Sequence, residues 1–372
     1  MKGWLMESKG PQKHYSPALL CSALALFLLA AFLLAAPVSA QKIKELPPPP
    51  AGPVYKPKPT PTPAPEELEV VRVTSNLIAV PVSVSDANGQ PVLGLQPADF
   101  RIEEDGRIQQ VAQLGDPEHI PLDIALLVDV SASVDARFAF EQKAAADFLR
   151  QVLRSGDRAT IFAIDQSPRM VQPLAGADVA TSALMTLTAA KGYTAFFDTV
   201  LAAEKYLDQN STQGRRRVIV VISDGDETAR VLTMPVGQTV AGNRQMSLLE
   251  RQLAFIEGAR GEVVREVQRA EVAFYSINPS GPTMHLNPRS ARAQLGMERL
   301  AAVSGGASFI PNDDSDLSRI FQRIASELRT QYLLQYYSDN KTAASDYRRI
   351  VVSTPSRPQL RVRAREGYFP KK

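Results

Sequence analysis

Between residues 121 and 330, short apolar runs alternate with stretches of helical periodicity, and this alternation is what most restricts the fold. Ile124 to Val128 is apolar without interruption, as a strand covered on both faces must be. Further strands are expected at Ala159–Ile164, near Met170–Leu174, at Val218–Ile222, at Val272–Ile277 and at Ser308–Ile310. Between them, apolar residues at helical spacing predict helices near 136–153, 178–187, 195–207, 248–269, 297–303 and 317–328. The series predicts an α/β fold: a doubly wound, mainly parallel sheet with helices on both faces. Ligands of such sheets sit at the carboxyl ends of the strands.

The flanks of this region read differently. Residues 68–120 carry β-rich segments around Leu77–Val84 and Phe100–Val111. They are punctuated by turn signals at Asn88-Gly89 and Asp105-Gly106, and both predict tight hairpins. Residues 331–372 return to strand character at Tyr332–Tyr337, Arg349–Val352 and Leu360–Arg363. The two flanks are expected to pair into one small β module beside the 121–330 domain.

Residues 1–40 read as a signal peptide or membrane anchor. Lys2, Lys9 and Lys13 precede an apolar run from Ala18 to Ala36, and Val38 and Ala40 have the small-residue spacing of a cleavage site. Export to the periplasm, the cell envelope or the medium follows, with membrane contact only through an uncleaved anchor. Residues 41–67 are dominated by proline and predict an extended linker. The only cysteine, Cys21, lies in the leader, so disulfides, thiolate metal sites and a cysteine nucleophile are excluded from the rest. The formal net charge is +3, most of it carried by the leader. Such a near-neutral body gives no electrostatic reason to expect nucleic acid.

The chemistry concentrates at two strand ends. Asp129-Val130-Ser131-Ala132-Ser133 leaves the first strand, and its alternation sets one carboxylate and two hydroxyls on one side of the turn. Thr194 precedes a helix, and Asp224, in Ser223-Asp224-Gly225, follows the strand Val218–Ile222. Two carboxylates and three hydroxyls are hard donors, suited to Mg2+ or Mn2+ and not to zinc. The residues alone leave open a plainer reading, in which the hydroxyls cap helices and Thr194 is an N-cap.

The order Asp-x-Ser-x-Ser, then Thr, then Asp-Gly resembles the metal-ion-dependent adhesion site of von Willebrand factor A-type domains, over about residues 121–330. The flanking Val82-Ser83-Val84-Ser85-Asp86, Asp99-Phe100, Glu104-Asp105-Gly106 and Gly367-Tyr368 are similar to the exported bacterial VWFA-related family of acidobacterial type. The resemblance implies a Mg2+ or Mn2+ ion on Asp129, Ser131, Ser133, Thr194 and Asp224, with one position left for a partner protein's Asp or Glu. It implies a binding or adhesion module without catalysis. Two other classes stay open: a scaffold subunit of an envelope complex, and a hydrolase using the ion to activate water.

Several residues read as bland. Asp226 and Glu227 suit a solvated loop, and Arg215-Arg216-Arg217 a solvated turn before a strand. Asp313, Asp314 and Asp316 suit a helix start. His14, His119 and His285 lack metal-ligand spacing, and no Gly-x-Ser-x-Gly elbow supports a serine nucleophile. Residues 229–262 read as an enlarged connection at the ligand edge, either a determinant of partner choice or a plain surface insertion.

Overall fold

The computed structural model describes residues 77–115, 120–131, 138–190, 192–212, 214–234, 247–282, 287–340 and 346–370. The leader and the proline-rich segment lie outside these residues. So do 235–246 of the long connection. No helix among the described residues is long and apolar enough to cross a membrane.

Four strands precede the alternating region: β1 (Leu77–Ser85), β2 (Arg101–Glu104), β3 (Arg107–Gln109) and β4 (Val111–Gly115). β1 obeys the pleat, burying Val80, Val82 and Val84. The Asp105-Gly106 hairpin forms between β2 and β3, with both residues at positive φ, +48° and +80°. That pair of angles is what a two-residue turn matched to strand twist requires. The Asn88-Gly89 turn also forms, fixed by Asp86 Oδ1, which accepts from the N–H groups of Asn88 and Gln90. It does not lead into a second long strand. Beyond it stands the single bridge Ser85–Pro91, since proline has no N–H to continue a ladder.

The alternating region folds as β5 (Leu122–Asp129), α1 (Phe138–Val152), β6 (Arg158–Ile164), β7 (Pro168–Ala175), α2 (Ala177–Leu184), α3 (Phe196–Asn210), β8 (Arg216–Ile222), α4 (Ala229–Leu232), α5 (Leu248–Ala270), β9 (Ala273–Ile277), α6 (Pro288–Ser304), β10 (Ser308–Phe309) and α7 (Asp314–Thr330). One six-stranded sheet has the order β10-β9-β8-β5-β6-β7, parallel except for the antiparallel edge strand β7. All eight residues of β5 are buried. Leu122, Ile124, Leu126 and Val128 pack into one core cluster with Phe148 of α1 and Phe321 of α7. Ala125 and Leu127 face the other cluster with Val200 of α3, Val263 of α5 and Leu300 of α6. The fold is therefore the expected doubly wound α/β architecture.

Two local expectations are corrected. The helix expected near 297–303 begins nine residues earlier, at Pro288, because Asn287 caps it by accepting the N–H of Arg289 and proline suits the first turn. Arg215–Arg217 are no solvated turn. Arg215 pairs with buried Asp123, Arg217 with Asp208, and Arg216 is buried, donating to the carbonyl of Leu328 and to Gln331. Burial, helped by the charge of Arg329, pushes the Arg216 guanidinium down to about 10.

The C-terminal strands are β11 (Tyr332–Tyr337), β12 (Arg348–Ser353), β13 (Arg361–Ala364) and β14 (Gly367–Tyr368). They interleave with the N-terminal ones in two sheets, β13-β1-β11-β4 and β14-β12-β2-β3. The two flanks thus form the β module together. Its centre is Glu104, a buried carboxylate accepting from Tyr336, Ser338, Arg348 and Tyr368. The module is tied to the alternating domain through Glu327 of α7, which accepts from Ser83 of β1, Tyr275 of β9 and Arg363 of β13.

Gly306 sits where α6 gives way to β10, and a Cβ there would overlap the main chain of Phe274. Main chain inside a central sheet cannot move aside. Gly306→Ala is therefore expected to cost about 3 kcal/mol or more, read as a lower urea midpoint at unchanged slope. An unshifted midpoint would contradict this packing.

Candidate metal centre

β5 and β8 are parallel neighbours in register, Val128 beside Ile222. Asp129 ends β5, and Asp224 stands two residues past β8. Strand direction alone thus brings both acids to one carboxyl edge. Asp129 is only 2% exposed. Its Oδ1 accepts from the N–H of Ser131 (2.9 Å) and its Oδ2 from the hydroxyl of Ser223 (2.6 Å). Ser223 Oγ in turn accepts from the N–H of Gly225 (3.0 Å), and Asp224 Oδ1 accepts from the N–H of Asp226 (3.0 Å). Gly225 holds φ at +76°, and any Cβ there would press on Met297 of α6. Glycine is what lets the loop turn beneath that helix.

Thr194 is brought to the same edge by its main chain. Its N–H donates to Thr228 Oγ1 (2.6 Å), and its carbonyl accepts from the N–H groups of Thr228 (3.0 Å) and Ala229 (3.1 Å). The next residue, Ala195, donates to the carbonyl of Asp165 at the end of β6 (2.8 Å). Thr194 is 5% exposed. It is not the N-cap of α3: that position is Ala195, and its side chain makes no cap. The structure thus gathers Asp129, Ser131, Thr194 and Asp224 along one edge. Ser133 lies outside the described residues, as do His14, His119 and His285.

The capping role belongs to Glu227, which the sequence suggests is a solvated loop residue. Glu227 is buried instead. Its two carboxylate oxygens accept from the N–H of Phe197 (2.8 Å), at the start of α3, and of Arg230 (2.9 Å), in α4. One side chain therefore locks the Thr194 loop to the Asp224 loop. An acid three residues beyond Asp224 is the only sequence signal, and it does not reveal a partner thirty residues away. Asp226 pairs with Arg289 of α6 (3.0 Å). Asp313 behaves as expected, capping α7 by accepting the N–H of Asp316.

The electrostatics of the two acids follow from this packing. Burial raises the Asp129 carboxyl above its ordinary value, against the lowering effect of its bonds from Ser223 and Ser131, and the charge of Asp226 raises it further. Asp224 is pushed up to about 6, first by burial and then by the charges of Asp129 and Asp226; the Asp226 N–H and Arg289 work in the opposite direction. Two desolvated carboxylates, the charge of one raising the other, are an arrangement a divalent cation relieves. The donors are all hard oxygens, so the residues fit such an ion. No cluster of three or more His, Cys, Asp or Glu with metal-holding geometry occurs among the described residues. A metal at this edge therefore depends on hydroxyl donors.

The wider comparisons can be set beside this geometry. Residues 124–227 match the family described as von Willebrand factor type A domain. No curated protein sequence matches the chain. Among solved structures, it is similar to the PilB minor pilin of Streptococcus sanguinis, with 13% identity over 57% of this chain and 62% of that one, at a TM-score of 0.43. The vWF domain of the type V pili tip protein Mfa5 from Porphyromonas gingivalis gives 12% identity, 56% and 94% coverage and a TM-score of 0.40. Proximal thread matrix protein 1 of the mussel byssus, with a zinc-occupied MIDAS motif, gives 14% identity over 61% of this chain and a TM-score of 0.40. The chain spans about half the length of that byssus protein. The family match opens in β5 and closes on Glu227, so the stretch that resembles a von Willebrand factor type A domain runs from one wall of the acidic edge to the other.

Proposed function

We propose that the chain is an exported, metal-dependent protein-binding module that captures an acidic side chain of a partner protein. Mg2+ or Mn2+ is the ion, and Asp129, Ser131, Ser133, Thr194 and Asp224 are its holders. The observation that carries this reading is the pair of acids on adjacent strand ends, Asp129 buried and Asp224 half-buried, with the Thr194 loop stitched between them. Domains of this type commonly hold a divalent metal and are typically interaction modules. Export rests on the basic and apolar leader.

When bound, the ion supplies an electrophilic coordination position for an external carboxylate oxygen. The residues of the chain do the rest. Asp129 and Asp224 balance the ion's charge between them, so the edge does not repel an incoming acid. Ser223 and the Ser131 N–H orient Asp129 from behind. Glu227 keeps Thr194 and Asp224 at a fixed spacing by holding the starts of α3 and α4. A hydrolytic reading would need a general base at this edge, and both Glu227 and Asp226 are already engaged in structural bonds.

Calorimetric titration of Mg2+ and Mn2+ into the protein tests the site. The parent is expected to bind one ion, and Asp129→Ala and Thr194→Ala to weaken it, the former by roughly a hundredfold or more. Equal binding by parent and Asp129→Ala would sink the assignment.

A pH series adds an independent check. The ion binds deprotonated Asp224, so its apparent affinity is expected to fall about tenfold per unit as pH drops below about 6. For the metal-free protein the sign reverses. A carboxyl whose folded value is raised contributes stability below its unfolded value, and that stability is lost as pH rises through about 6. Asp224→Asn is therefore expected to raise the Tm of the metal-free protein at pH 7.5, by a margin on the order of 2 kcal/mol. A lower Tm in that variant would contradict the electrostatic account.

A further inference from the structure

We infer that Arg289 is a second reader of the partner, so that the segment bound carries two neighbouring acidic residues, one for the ion and one for this guanidinium. The inference rests on the metal-dependent reading above and names the partner's chemistry.

Arg289 lies in the first turn of α6, directly above the Asp224 loop. Its Nε donates to Asp226 Oδ1 (3.0 Å), and the Asp226 N–H donates to Asp224 Oδ1 (3.0 Å). The guanidinium is thus two hydrogen-bonded steps from a metal-holding carboxylate. The base of the side chain is fixed, because Asn287 accepts the N–H of Arg289 and Met297 of the same helix packs on Gly225.

Its charge is only partly spent on Asp226. Arg289 remains 57% exposed, while Asp226 is 24% exposed. Asp226 engages Nε, one of five donors on a guanidinium. Arg230, whose N–H is held by Glu227, is 18% exposed and divided between Asp198 and Glu262. An exposed ion pair of the Arg289 kind adds little stability. What it does provide is a cation held beside a site that receives acids. Asp226 intervenes in the bonded path from the guanidinium to Asp224, so on this reading the guanidinium takes an acidic group of its own beside the one that meets the ion. Planar N–H groups suit that carboxylate in two-point contact, which lysine cannot reproduce.

The test uses Mn2+-loaded protein and three synthetic peptides of one otherwise uncharged sequence, with no, one or two adjacent Glu residues. Affinities are measured by fluorescence anisotropy at physiological salt, and Mn2+ affinity is measured separately. The parent is expected to prefer the two-Glu over the one-Glu peptide by about three- to tenfold. Arg289→Gln is expected to shrink that ratio to within about twofold, and Arg289→Lys to leave an intermediate value. Asp226→Asn keeps the guanidinium and should keep the preference. A ratio unchanged in Arg289→Gln, or absent in the parent, overturns the inference while the metal site stands. A loss in Asp226→Asn equal to that in Arg289→Gln also overturns it, since the pair would then only shape the loop. A parent that binds neither Mn2+ nor the one-Glu peptide sinks the metal-dependent reading, and this inference with it.

Discussion

Everything at the acidic edge depends on a strand that is buried on both faces and ends in a carboxylate. β5 has no polar face to offer water, so it can only lie in the middle of the sheet. Its position there, between β8 and β6, fixes where Asp129 emerges and which loops surround it. Desolvation of that carboxylate is the cost of the arrangement. It is offset in part by a hydroxyl and an amide, which orient the group without neutralising it. A residual negative charge at a strand end is what makes the edge receptive to a cation.

The opposite end of the sheet carries the complementary solution. There a buried charge is matched inside the protein. Glu327 gathers Ser83, Tyr275 and Arg363, while Arg216 is spread over a carbonyl and the side chain of Gln331. These groups come from the sheet, the last helix and the β module, so their mutual satisfaction specifies how the module docks. Buried ionic networks of this kind contribute orientation more dependably than net stability, because removing any one member strands the others. The protein thus has one end closed by its own counter-charges.

Much of this was legible in the sequence where the signal is local. Continuous apolar runs gave the parallel strands, and helical spacing gave α7, whose Leu317, Phe321, Ile324 and Leu328 form one buried stripe. The positions of Asp129 and Asp224 follow from strand direction once the strands are known. Residues whose partners are remote were misread. Glu227 looks like a loop acid until α3, thirty residues earlier in the chain, is laid beside it. Arg216 looks like a surface charge until Leu328 comes to rest against it. The plainer reading of Thr194 as an N-cap does not hold, because Ala195 takes that position and the Thr194 main chain is committed to Thr228 and Ala229. The composition of the Asn88-Gly89 turn correctly gave a turn, but Pro91 denied it the ladder that turns of this type normally join.

The polarity of the sheet links these points. In a parallel sheet every strand contributes its carboxyl end to the same edge, so loops there can be long and chemically varied without disturbing the core. The β module is tied to the alternating domain through the last helix and the strands that follow it, where Glu327 and Gln331 do their bonding. α7 packs against α1 on one side and meets Ser83 and Arg363 at its far end, and α6 reaches the module as well, through Arg299 to Glu366 and through the Val303 carbonyl, which accepts the N–H of Glu366. Arg289 and Met297 lie on the same α6 and touch the Asp224 loop directly. One helix thus touches both the Asp224 loop and the module, so the carboxyl edge and the joint are linked through α6 as well as through α7.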